Sequence, residues 1–63
     1  MARYMIVETD NFQYKIVNTM TGVAMSFAPD RTPRPAVSDQ DVTFIPRYVI
    51  ACNIADSMNR VAS

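Results

Sequence analysis

The side chains able to do chemistry in this sequence are few, and they do not converge. Cys52 is the one cysteine, and the chain has no histidine to deprotonate it. A catalytic thiol needs a neighbouring base or cation to lower its pKa, so Cys52, in a segment of helical period, reads as a small hydrophobe. A lone cysteine also excludes a disulfide within the chain, and a zinc site would lack its ligands. Asp39 and Asp41, with Asp30 upstream, suggest a cation site or an acid–base pair. Calcium loops need more oxygen ligands and a glycine at the bend, and paired-carboxylate catalysis needs a cleft that so small a domain rarely provides. These aspartates therefore read as solvated loop residues or helix caps. No catalytic residue, metal or cofactor is expected, and an enzyme is the weakest reading.

Positive charge concentrates locally at Arg31, Arg34 and Arg47. These could contact phosphates, with Tyr48 stacking beside them, but Asp30, Asp39 and Asp41 cancel most of that charge. Six basic residues balance six acidic ones. A neutral chain has no long-range field to gather nucleic acid or an anionic membrane surface. The run Pro-Asp-Arg-Thr-Pro-Arg-Pro reads instead as a stiffened surface loop, or as an extended polyproline-like peptide held for a partner.

Four elements must position these groups. Residues 3–9 are rich in β-branched and aromatic types and read as a strand, with Tyr4, Ile6 and Glu8 on one face and Met5, Val7 and Thr9 on the other. Asp10-Asn11 is turn chemistry. A second strand over 12–18 alternates Phe12, Tyr14 and Ile16 against Gln13 and Lys15. Asn18 to Gly22 then makes a hairpin loop, the single glycine supplying a left-handed exit. The third strand, 23–28, sets Val23, Met25 and Phe27 against Ala24 and Ser26. Residues 29–41 form a loop, because Pro29, Pro33 and Pro35 each remove a backbone donor. Val42 to Ile45 is either a short extra strand or the approach to a helix over about 45–61. The helix gathers Ile50, Ala51, Ile54, Ala55, Met58 and Ala62 on one stripe, opposite Val49, Asn53, Asp56 and Arg60. Thr43 or Asp41 is placed to cap its start.

The expected architecture is α+β in the order βββα: a three-stranded antiparallel sheet packed by one C-terminal helix, as one domain. A chain of 63 residues buries roughly 60% of the surface its unfolded form exposes, so its core is marginal. Self-association or docking on a partner is the expected support. Strand one is apolar on both faces, so whichever of Tyr4/Ile6 and Met5/Val7 faces the helix, the other pair is left for an interface. Met20, at the hairpin tip, has no core to reach. No apolar run approaches the ~20 residues of a membrane span. With no export signal expected at the N-terminus, the reading is cytoplasmic.

The stretch Tyr14 to Phe27 (YKIVNTMTGVAMSF), followed by a helix ending Ile54-Ala55-Asp56-Ser57-Met58-Asn59-Arg60, resembles small phage-encoded accessory proteins. They share a hairpin with a Thr-x-Thr-Gly loop and a helix that ends near an asparagine, and Glu8-Thr9-Asp10-Asn11-Phe12 is similar too. This sequence departs from them by inserting the proline-rich loop where a short capped turn is usual. The resemblance implies a protein that binds and blocks a host enzyme or defence complex. The sequence thus leads to a non-enzymatic interaction module with a protein partner, or a homodimer, with Arg31, Arg34, Arg47, Met20, Tyr4 and Ile6 as candidate contacts. The alternative is a small dimeric nucleic-acid-binding or regulatory protein.

Overall fold

A computed structural model describes residues 2–62. Its elements are β1 (Tyr4–Glu8), β2 (Tyr14–Asn18), β3 (Met25–Phe27), β4 (Pro33–Pro35), one 3-10 turn (Asp39–Asp41) and helix α1 (Tyr48–Ala62). The α+β class and the C-terminal helix agree with the sequence. The single three-stranded sheet does not: β1 pairs with β2, and β3 pairs separately with β4, both antiparallel.

The reason lies along the second edge of β2. At its start Tyr14 exchanges both backbone bonds with Ile45, at 2.8 and 2.7 Å, so the Val42–Ile45 stretch takes the place expected for the third strand. At its end only the bridge Val17↔Ala24 joins it to the following chain. β3 therefore turns away and finds its partner inside the proline-rich stretch expected to be a loop. Proline is tolerated on an edge strand where its missing N–H would point outward. The two-residue spacing of Pro33 and Pro35 puts both missing donors on that outer edge. Ladder bonding falls to Arg34, opposite Ser26, and is flanked by Ala28 N–H donating to the Thr32 carbonyl and Ala36 N–H donating to the Ala24 carbonyl.

The strands also start later than the alternation suggests. Phe12, expected on the inner face of strand two, sits in the β1–β2 turn at φ 59° with 79% of its surface exposed. Val23 is exposed as well, and β3 begins at Met25. The helix starts at Tyr48 because Ile45 is held in the sheet and Pro46 follows it. Neither Thr43 nor Asp41 caps it: the Thr43 hydroxyl accepts the Phe27 N–H, and Asp41 binds Arg34.

The core consists of Ile16, Met25, Ile45, Ala51 and Ala55, bordered by Tyr4, Ile6, Tyr14, Phe27, Ile54 and Met58. Among the described residues Ile16 is the one large side chain that is fully buried. Ala51 and Ala55 let the helix axis approach the sheet closely, while Ile50, expected on the stripe, lies at its exposed rim. The helix crosses the sheet from Tyr48, packed edge-on against Tyr14 at 5.4 Å, to Asn59 at β1. There the Asn59 carboxamide acts as a substitute peptide: Tyr4 N–H donates to its Oδ1 (2.8 Å) and its Nδ2 donates to the Tyr4 carbonyl (3.1 Å).

Candidate functional site

Two of the three tight turns carry a residue at odds with what the turn requires. In the first, Phe12 N–H donates to the Thr9 carbonyl (3.2 Å) and Thr9 N–H to the Gln13 carbonyl (2.8 Å). This is a three-residue hairpin loop whose last position must be left-handed, the place where glycine is favoured. Phe12 occupies it. The same bonds recur between β3 and β4: Arg31 N–H to the Ala28 carbonyl (2.7 Å), Ala28 N–H to the Thr32 carbonyl (3.0 Å), with Arg31 at φ 69°. Only between β2 and β3 is the left-handed residue a glycine, Gly22 at φ 74°. For an ordinary side chain that conformation costs roughly 1–2 kcal/mol.

Asp41 organises the polar half of the molecule. Its Oδ1 accepts from Arg34 Nη2 (2.7 Å) and, at 3.4 Å, from the hydroxyl of buried Ser26. Its Oδ2 accepts the Val37 N–H at 3.0 Å. The Val37 amide first, and then the Arg34 guanidinium, hold the Asp41 carboxyl below the usual carboxylate range. Asp30 is likewise lowered, chiefly by the Thr32 N–H that donates to it at 3.0 Å.

Beside this clamp an open cleft of about 290 Å³ separates the two sheets, its walls including Tyr4, Val23, Met25, Pro33, Arg34 and Pro35. Its walls are mostly apolar, and the guanidinium of Arg34 is fixed in position there by Asp41. Such a cleft has room for one apolar side chain.

Of the candidate contacts, Tyr4 and Arg34 meet in this cleft. Arg31 stands at the β3–β4 tip, Arg47 is exposed just ahead of the helix, and Met20 is 76% exposed at the β2–β3 tip. Arg34 is ion-paired with Asp41 at 2.7 Å. Tyr4 and Ile6 pack against the core, so the sheet face left over is that of Met5 and Val7. Phe12 escapes a reading of the sequence because Phe12, Tyr14 and Ile16 alternate cleanly. The signal that points to it is the Thr9-Asp10-Asn11 turn, which demands a left-handed residue next.

The described residues contain no group of three or more His, Cys, Asp and Glu side chains able to hold a metal. Part-buried Cys52 meets Tyr48 one helical turn earlier, and its hydrogen bond and charge hold the tyrosine hydroxyl above the ordinary phenol range. No described helix is long and apolar enough to cross a membrane. No protein-family model matches the chain, nor does a curated protein or a solved structure.

Proposed function

We propose that this chain is a non-enzymatic protein-interaction module that binds a partner protein through the side chains of Phe12 and Arg31, with the Arg34 cleft contributing. The observation that carries this is the pair of left-handed turn positions. A bulky aromatic and an arginine stand where glycine would relieve backbone strain, and Phe12 is 79% exposed. Strain retained at an exposed site, with no packing to offset it, supports a role outside the fold. Phenylalanine supplies large apolar area, and arginine supplies planar donors for a carboxylate. Both are held on short turns, so little freedom is lost on docking. The resemblance to phage accessory proteins makes a host protein, met in the cytoplasm, the partner of this reading.

The test is affinity capture from host lysate with the wild-type chain and with the double variant Phe12→Gly, Arg31→Gly. The variant should melt at the wild-type temperature or above and lose the partners that the wild type enriches. If it retains every one of them, the turn side chains are not the contacts. Capture of nucleic acid in place of protein would favour the alternative reading.

A further inference from the structure

Each residue of an antiparallel strand sends its N–H and C=O to one side, and successive residues alternate sides. In β1 the phase is set at both ends: Thr19 N–H donates to the Arg3 carbonyl (2.7 Å) and Thr9 N–H to the Gln13 carbonyl (2.8 Å). Residues 3, 5, 7 and 9 therefore bond β2, and Tyr4, Ile6 and Glu8 direct their backbone groups to the opposite edge. Tyr4 is closed there by the Asn59 carboxamide. The helix crosses diagonally, reaching β1 at Tyr4 and lying over Tyr14 at the other end, so Asn59 stops the free edge after two residues. Ile6 and Glu8 keep two donors and two acceptors facing out of the sheet. Unpaired edges of this kind are templates for another strand.

We infer that a second copy of this chain occupies this edge, with the two β1 strands antiparallel about a two-fold axis through Val7. The hydrogen-bonding pattern is self-complementary in that register. Ile6 of each copy exchanges both bonds with the second copy's Glu8, and Val7 meets the second copy's Val7 on the outer face. The free edge is too short to hold a long foreign strand, but the two-fold arrangement pairs every one of its groups. The outer face also becomes continuous, because Met5 (48% exposed), Val7 and their cross-strand neighbour Val17 extend across the axis. With zero net charge, no long-range repulsion keeps two copies apart. This pairing is independent of the turn side chains proposed to hold a protein partner.

The decisive variant is Glu8→Pro. Glu8 is exposed and its N–H faces the free edge, so proline removes an intermolecular donor and leaves the β1–β2 ladder intact. Val7→Lys places like charges across the axis without touching the backbone. At about 100 μM, a concentration at which mass action favours even a modest dimer, the wild type should sediment at twice its 7.1 kDa mass. Both variants should sediment at the single-chain mass. Hydrogen exchange on the wild type gives a second readout: the Ile6 and Glu8 amides should exchange about tenfold or more slowly on concentration, because protection there follows dimerisation. A wild type that stays monomeric, a dimer that survives both substitutions, or Ile6 and Glu8 amides that exchange alike at every concentration would overturn the inference. Should Glu8→Pro unfold, Val7→Lys and the exchange rates decide.

Discussion

The two halves of this molecule are held by different forces. The β1–β2 hairpin backed by α1 is held by apolar burial: Ile16, Ile45, Ala51 and Ala55 close against one another, with Tyr4, Ile6 and Ile54 around them. The β3–β4 half contributes Met25 and part of Phe27 to that core and is otherwise organised by polar contacts, chiefly the three groups that converge on Asp41. Apolar burial is indifferent to pH and fails all at once. A carboxylate clamp fails locally and at a defined protonation state. The difference implies that the first half sets global stability while the second can open on its own.

The largest effect should come from Ile16→Ala. Truncating a fully buried isoleucine costs about 2–5 kcal/mol, a large share of what so small a chain has, and thermal melting of the variant should show it largely unfolded. Because Met25 shares the core with Ile16, protection in β3–β4 should vanish with it. Surviving β3–β4 protection would mean that the halves fold independently. Phe12→Ala, which the alternation of strand two ranks beside it, should instead leave the core intact.

Next comes Asn59→Ala, which leaves the Tyr4 N–H and carbonyl to water at a part-buried edge. Two lost hydrogen bonds predict about 1–2 kcal/mol, read as a lower denaturation midpoint with an unchanged m-value.

The polar half should respond to acid before the core does. Asp41 and Asp30 both have folded pKa values below their ordinary ones, so the stability they contribute is present above the ordinary carboxylate pKa of about 3.9 and is lost as pH falls below it through the folded values. The Val37 amide first, and then those of β3–β4, should lose protection in that range while the Ile16 region keeps its own. Asp41→Asn should open the same segment at neutral pH and remove most of the acid response. An acid transition uniform across both halves would erase the contrast.

Legibility in the sequence follows the same division. The helix stripe is readable because apolar period reports burial, β1 because its β-branched and aromatic residues favour a strand, and the Asn18–Gly22 loop because turn chemistry is local. β4 is hidden because a proline run suggests a loop, and only the two-residue spacing, together with a partner strand free to turn away, makes it an edge strand. The Tyr4–Asn59 pairing spans 55 positions and depends on the helix crossing angle, which no local pattern encodes. For the candidate site, the exposure of Arg31 and Met20 is readable from loop position, whereas Arg47 falls within the expected helix and stands ahead of the observed one. The Arg34–Asp41 ion pair needs the β3–β4 register, and Phe12 needs the turn type.

The smallest effects test the turns, one in each half and one at the joint between them. A methyl group added at Gly22 would meet no atom within 4 Å, so Gly22→Ala is penalised by the φ of 74° alone. That should cost about 1 kcal/mol. At Phe12 the sign reverses. Glycine relieves roughly 1–2 kcal/mol of left-handed strain and returns about 0.5–1 kcal/mol through the greater entropy of the unfolded chain. Phe12→Gly should therefore stabilise by about 0.5–1 kcal/mol, a rise of a few degrees in Tm for a chain this size. Arg31→Gly should do the same. Opposite signs at Gly22 and Phe12, measured in one buffer by thermal melting, would show that the chain carries an avoidable strain at its hairpin tip. Equal signs would mean that the Phe12 ring contributes to the fold after all, and the reason for seeking its partner outside the molecule would disappear.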